Sequence, residues 1–377
     1  MNIIRLIAVA RKEFIHVFRD WRSLVLAIAI PMILILLFGY ALTMDLKNVP
    51  TVVWDQSHSA QSRELLSLFE GSPYFSITHY YDKYTDIELA LISGKAMIGL
   101  VIPSDFGQNI LANRTSQLQV IADGSDANSS RLALSYATAI GMIYSKTILF
   151  KHMQSKGLKK LDHPVELAPR AWYNSDLRSQ NVIIPGIIAI VLIVIAAMLT
   201  SVTIAREWEM GTMEQLISTP LRGPELIFGK VIPYFIIGMV DVIIAVVMGQ
   251  WLYDVPMRGN PALLFAFAAI FLIGALFFGM TLSIVLKSQV LANMIAIIAG
   301  FMPTMILSGF VFAIENMPMP IQVITFIVPA RYFIAILRGI YLKGIGFEIM
   351  WLNALLLTLY AVIMVIAANR KLKLKLE

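Results

Sequence analysis

AREWEMGTMEQLISTPLRGPELIFGK, residues 205–230, is a polar, charge-mixed island between two long apolar runs. Arg206, Glu207, Glu209, Glu214, Arg222 and Glu225 stand there beside Trp208, Met213, Leu216 and Ile217. The chain around it is 58% hydrophobic and 14% charged, against about 25% charge in an ordinary soluble domain. Such a chain reads as an integral membrane protein, and its polar island must lie at a membrane surface. Apolar residues at helical spacing inside the island predict a short helix lying along that surface.

Working outward, the 377-residue chain carries a net charge of +6, no cysteine and 20 methionines. The absence of cysteine excludes disulfides and thiolate metal sites. The positive charge is modest and is read by its distribution, so nucleic acid is not an expected partner.

Residues 1–22 place Ile3, Ile7, Phe14, Phe18 and Trp21 at helical spacing, with Arg5, Lys12, His16 and Arg19 on another face. That pattern predicts a cytoplasmic amphipathic helix in the lipid interface; a solvated N-terminal helix is the alternative. Residues 23–43 form an apolar run long enough to cross a hydrocarbon core of roughly 30 Å, longer than a signal-peptide core and without a small-residue cleavage site.

From 44 to 181 the composition turns soluble. VPTVVW (49–54), YFSITHY (74–80), KAMIGLVIP (95–103) and SQLQVIADG (116–124) read as strands. Helix-compatible segments at 56–70, 83–93 and 104–113 separate them, and a longer one spans 127–154. The alternation predicts an α/β or α+β domain, followed by a linker at 156–170 broken by Gly157, Pro164 and Pro169. Asp123-Gly124-Ser125-Asp126 lacks the further acids of a calcium loop and reads as a turn.

Further apolar runs at about 182–204, 227–253, 262–286, 290–312 and 350–368 bring the count to six spans. The fold class is therefore an α-helical polytopic membrane protein, with an extracytoplasmic domain inserted between the first and second of six spans. Six spans put both termini on one side. Both are basic, through Arg5, Arg11, Lys12, Arg19 and Arg22 at one end and Arg370, Lys371, Lys373 and Lys375 at the other. The positive-inside rule makes that side cytoplasmic. The island then faces the cytoplasm and residues 44–181 the outside. Within the 182–377 domain, the segment 313–348 is apolar but interrupted by Pro318, Pro320 and Pro329, and carries Glu315, Arg331, Arg338 and Lys343. Two half-helices dipping in from the outer face satisfy both length and charge; a plain interfacial helix is the alternative.

Catalytic chemistry finds no support: there is no HExxH, no GxSxG and no glycine-rich phosphate loop. Asp241 is the one aspartate well inside a span. It reads as a polar contact in a pathway, as a helix–helix hydrogen bond, or as a buried protonated acid. With no energy source of its own, the chain needs a partner, and the island is its main polar surface inside the cell.

The island and its continuation, AREWEMGTMEQLISTPLRGPELIFGKVIPYF, closely resemble the cytoplasmic signature of ABC type-2 transporter permeases of the bacterial drug-efflux-like branch. SGFVFAIENMP (308–318) with IVPARYFIAILRGIYLKG (327–344) resembles that family's outer segment, and RAWYNSDLRSQNVIIPGIIA (170–189) its approach to the second span. The resemblance covers nearly the whole chain, although Met210 stands where relatives often carry a charge. It implies an inner-membrane exporter permease that carries hydrophobic or amphipathic cargo outward. Two separate ABC ATPase subunits would bind ATP and Mg, with no cofactor in this chain. A second copy or a sister permease would complete a dimer.

By the same resemblance the coupling segment, 205–226, acts through Arg206, Glu207, Glu209, Gly211, Thr212, Glu214, Leu216, Pro220 and Leu221. Glu315, Pro329, Arg331 and Arg338 belong to outer re-entrant helices that narrow the exit. The external domain would dock a periplasmic adaptor and outer-membrane channel, as in relatives of that layout. The alternative from another class is a non-transporting module that senses or transmits mechanical signals, driven by the same kind of ATPase.

Overall fold

The structure, a computed structural model, describes residues 2–41, 46–155, 172–174 and 178–372. The expected linker at 156–170 and the tail cations Lys373 and Lys375 lie outside the described residues. The chain divides into two compact units, Met44–Pro169 and the combination of Met1–Thr43 with Arg170–Glu377.

In the first unit, four segments rich in β-branched residues form β1 (Val49–Asp55), β2 (Phe75–Tyr80), β3 (Ile98–Ile102) and β4 (Gln119–Ala122). Their order is β2-β1-β3-β4. β1 runs parallel to both β2 and β3, and β4 closes the edge antiparallel. Parallel neighbours need helical crossovers, supplied by α3 (Ala60–Glu70) and α4 (Tyr84–Ile92). Ser59 starts α3 with a capping box to Ser62. α5 (Phe106–Leu111) leads to β4, and α6 (Ala127–Ser155) follows. Asp123 opens the turn before α6 by accepting from the backbone N–H (3.0 Å) and hydroxyl (2.7 Å) of Ser125. Those two donors hold its carboxyl below the usual carboxylate range. Among the described residues no group of three or more His, Asp or Glu side chains could hold a metal.

Six described helical stretches are long and apolar enough to cross a membrane: Ser129–His152, Ser179–Glu209, Gly223–Trp251, Pro261–Leu286, Gln289–Leu307 and Phe347–Lys371. The first of these belongs to α6 and differs from the rest. Its Ala133, Ala137, Ile140 and Tyr144, at helical spacing, are buried in the core of the sheet unit. The Tyr144 hydroxyl donates to Gln61 O at 2.9 Å. The six apolar runs of the sequence instead begin with α2 (Trp21–Ala41), which contributes a shorter apolar helix at Ala27–Ala41.

In the second unit, α7 (Ser179–Ser201) is buried along nearly its whole length. Around it pack α2, α10 (Gly223–Trp251), α11 (Pro261–Leu286), α12 (Gln289–Leu307) and α14 (Pro329–Arg338). Apolar burial drives helices together weakly inside lipid, so close backbone approach carries much of the packing. Gly279 on α11 shows it: a Cβ there would stand 2.4 Å from Ala197 O and from the Thr200 hydroxyl of α7. α15 (Phe347–Lys371) covers α11.

α1 (Ile3–Arg19) packs Val9, Ala10, Glu13 and Val17 inward and runs along α10. Its Ile3, Ile4, Ile7 and Phe18 are exposed. α13 (Met319–Thr325) and the stretch Pro329–Lys343, which holds α14, form a pair of apolar helices bent by 83°. Pro329, with no N–H to donate, sits in the first turn of the second member.

Candidate functional site: the polar segment at the end of α7

The helical stretch Ser179–Glu209 contains 31 residues. At 1.5 Å per residue it extends about 46 Å, against a hydrocarbon core of roughly 30 Å. The stretch is thus longer than that layer is thick, and its charged residues, Arg206, Glu207 and Glu209, all lie in its last turns. The break comes at Val202, where α7 ends and α8 (Thr203–Glu209) begins. The backbone N–H groups of Ile204 and Ala205 donate to the Ser283 hydroxyl of α11, at 3.0 and 2.9 Å, fixing the start of α8.

A second break follows at Gly211, whose φ of +70° is a left-handed conformation that costs a glycine nothing. The chain then forms α9 (Thr212–Ile217) and turns through Pro220 into α10. The single surface helix expected from sequence is thus two short helices joined at Gly211.

Glu207 points inward. Its carboxylate lies 2.9 Å from Lys230 Nζ of α10 and 3.5 Å from Lys12 Nζ of α1, and also accepts from the Thr212 hydroxyl. Lys230 is 2% exposed and reaches Glu13 of α1 at 3.2 Å. The Tyr234 hydroxyl donates to the same Glu13 at 3.2 Å. Two lysines and two glutamates thus balance in a closed group joining α8, α1 and α10. A buried ion of this kind is tolerated only when its partners are in place.

The remaining expected residues divide by exposure. Arg206 is half-buried and donates from Nε to Gln289 Oε1 at 3.3 Å. Glu209 is exposed and accepts from the Gln289 backbone N–H at 2.8 Å. Leu216 and Leu221 are half-buried against the helical core. Glu214 and Pro220 face solvent, as do Gln215, Ser218 and Met210, the last 67% exposed. The Pro220 carbonyl accepts from the Arg5 guanidinium, and Glu225 accepts from the backbone N–H groups of Asn2 (2.7 Å) and Arg222 (3.1 Å). Lys287 stands 4.4 Å over the Trp208 ring.

The outer set does not converge in the same way. Glu315 lies in a short 3-10 turn, exposed, and no ion pair joins it to either arginine among the described residues. Arg331 stacks 4.0 Å over Phe326 and donates to the Thr325 hydroxyl. Arg338 donates to the carbonyls of Gly309 (3.0 Å) and Phe310 (3.4 Å), tying α14 to the chain leaving α12. Asp241, on α10, is 1% exposed, and neither carboxyl oxygen has a hydrogen-bond partner among the described residues. The helix–helix hydrogen bond considered for it from sequence is absent there.

From sequence, Lys230 and Glu13 carried no assigned role, and Lys12 only a place on the basic face of the N-terminal helix. Their one linear signal was a lysine within an apolar helix, which marks a buried cation but does not name its partner.

The model for the family described as ABC-2 family transporter protein matches residues 21–369. The chain is 33% identical over 374 residues to the probable multidrug ABC transporter permease YbhS of Escherichia coli K12, covering 99% of this chain and 98% of that one. It is 30% identical to the probable multidrug ABC transporter permease YbhR of the same organism, over 92% of each chain. It is 24% identical to that organism's inner membrane transport permease YhhJ, over 81% of this chain and 80% of the other.

Proposed function

The chain belongs to the ABC-2 transporter family, and from that premise we propose that it is the membrane-spanning subunit of an ATP-driven exporter. As a permease of this family it has no ATPase site of its own; ATP hydrolysis belongs to a separate subunit. The proposal is that this subunit docks beneath α8 and α9. There it contacts Met210, Glu214, Gln215 and Pro220, with Gly211 allowing the sharp turn between the two short helices.

The observation that carries the reading is the Glu207–Lys230–Glu13 group. It fastens α8, the helix next to the docking surface, to α10 in the membrane and to α1 along the interface. Displacement of α8 is then passed on to α10 and α1 as a unit. Thr212 ties α9 into the same group through its bond to Glu207.

On this reading α2 is the first span, both termini face the cytoplasm, and residues 44–181 lie outside the inner membrane. Two permeases, identical or sister chains, form the route outward for a hydrophobic or amphipathic substrate, as the multidrug names of the two relatives encourage. The bent pair around Pro329 lies at the outer exit. An adaptor and outer-membrane channel are the partners proposed for the external domain.

The test is reconstitution of the chain with its ATPase in inverted vesicles, scored for ATP-dependent accumulation of apolar dyes and for dye-stimulated ATP hydrolysis. Accumulation is the expected result. Stable assembly and ATP hydrolysis with no accumulation of any dye or lipid analogue would favour the mechanotransmission reading.

A further inference from the structure

The segment 203–230 borders a cavity of about 280 Å³ between α1, α2, α7 and α10, at the small end of drug-sized sites. Its polar lining carries both signs of charge, with His16, Asp20 and Arg206 beside the Lys12–Glu13–Glu207–Lys230 group, and its apolar lining includes Leu24, Ala27, Ile30, Met198 and Leu199. Leu199 and Tyr234 also border a second space of about 10 Å³, further along α10, and that space is lined by Asp241. Ile237 lines the large cavity and Asp241 the small one, four residues apart on α10, or about 6 Å along the helix axis.

The carboxyl groups around these two spaces are not equivalent. At the larger cavity Glu13 and Glu207 are matched by Lys230, Glu13 also by the Tyr234 hydroxyl, and Asp20 has a partner as well. Asp241 is 1% exposed, and both of its oxygens are without a hydrogen-bond partner among the described residues. The residues that close on it from α2, α7 and α11 are Pro31, Val191, Leu192, Ile195, Ala196 and Leu272, all apolar. Among the described residues lining the small space, Tyr234 is the other titratable group, and its hydroxyl is committed to Glu13. An acid so placed lacks a cation, and an uncompensated polar group in low dielectric is costly until it is paired.

We infer that the two spaces form one binding site for an amphipathic amine. The apolar body lies in the larger cavity against Leu24, Met198 and Leu199. A slim aliphatic arm passes Leu199 and Tyr234 and delivers its ammonium to Asp241. The small space is too narrow for a bulky quaternary centre, which limits the ligand to amines on an extended arm. This deepens the permease reading and rests on it for treating the ligand as cargo. Binding itself needs no ATPase.

The test uses the full chain in lipid nanodiscs, with dansylcadaverine as the probe. It has an apolar fluorophore and a five-carbon arm ending in a primary ammonium. N-acetyl-dansylcadaverine, which keeps the body and arm but loses the charge, is the control, and empty nanodiscs correct for partition into lipid. The expected result is saturable, blue-shifted emission, with the amine binding at least tenfold more tightly than its acetylated form. Asp241→Asn brings the amine down to the acetylated level, and Asp241→Glu retains the preference. Leu199→Trp, which fills the junction, weakens both probes. Equal binding of the two probes by the unaltered chain overturns the inference whether or not any variant folds, and so does an undiminished preference in Asp241→Asn. Failure of vesicle transport alongside amine-selective binding would count against the exporter reading and leave this site standing.

Discussion

The ammonium of Lys230 lies 2.9 Å from the carboxylate of Glu207, joining the long α10 to the short α8 that follows α7. The lysine is 3% exposed over its side chain and the glutamate 12%. Glu13 completes the group from a third helix. The cost of breaking such a group comes mainly from the charges left behind. Lys230→Met leaves Glu13 without a cation and Glu207 with the exposed Lys12 alone, and should destabilise the chain by about 3–5 kcal/mol. Adding Glu13→Gln and Glu207→Gln should recover most of that loss while leaving transport impaired, because the fastening of α8 is gone. Thermal unfolding of the purified variants, compared with ATP-driven uptake, checks both parts.

The exposed face of α8 and α9 should behave in the opposite way. Among the described residues, neither Met210 nor Glu214 makes a hydrogen bond or ion pair through its side chain, and both are exposed. Met210→Asp and Glu214→Lys should therefore shift stability by no more than about 0.5 kcal/mol. Both should weaken co-purification of the ATPase and lower uptake at least tenfold. Undiminished ATPase capture by the pair together would remove this surface from the docking role.

Orientation can be read directly in a chain without cysteine. A single cysteine at position 125 should react with an impermeant maleimide from outside intact spheroplasts, and one at 218 only after the membrane is opened. The reverse pattern would invert the proposed topology.

Close packing of α7 on α11 predicts a small substitution with a large effect. A methyl group at Gly279 meets the Ala197 carbonyl at 2.4 Å, and backbone cannot yield as a flexible side chain can. Gly279→Ala should cost about 1–3 kcal/mol, seen as a lower unfolding temperature. Gly141→Ala, where an added Cβ meets nothing within 4 Å, serves as the matched control on α6.

The strands of the sheet unit were legible because Val, Ile and Tyr cluster between polar, turn-rich stretches. The expected segment 49–54 and the observed Val49–Asp55 differ by one residue. The strand order, with β1 between β2 and β3, was not legible, since alternation names strands without naming neighbours. Around the candidate site, the polar island was visible as a break in hydropathy, and Glu207 was singled out for a surface role. Its inward direction depends on Lys230, 23 residues later, and Lys230's other partner Glu13 is 217 residues away. No local pattern encodes such a meeting. Ser283, which fixes the start of α8, lay inside an apolar run and carried no signal at all.

Tyr253, just beyond the end of α10, donates its hydroxyl to the carbonyls of Ile35 and Leu36 on α2, at 3.1 and 3.0 Å. Its ring occupies the place that a side chain at Gly39 would need. The second of those contacts joins residues 217 positions apart. At a synthesis rate of about 5–20 residues per second, α2 waits on the order of 10–40 s before the ring that clasps it has been made. The whole sheet unit is therefore synthesised between α2 and α7, the next helix to pack on it, and the clasp at Gly39 closes later still. A nascent chain arrested before residue 253 should accordingly leave the Gly39 face of α2 open to a crosslinker that the Tyr253 ring blocks in the finished protein.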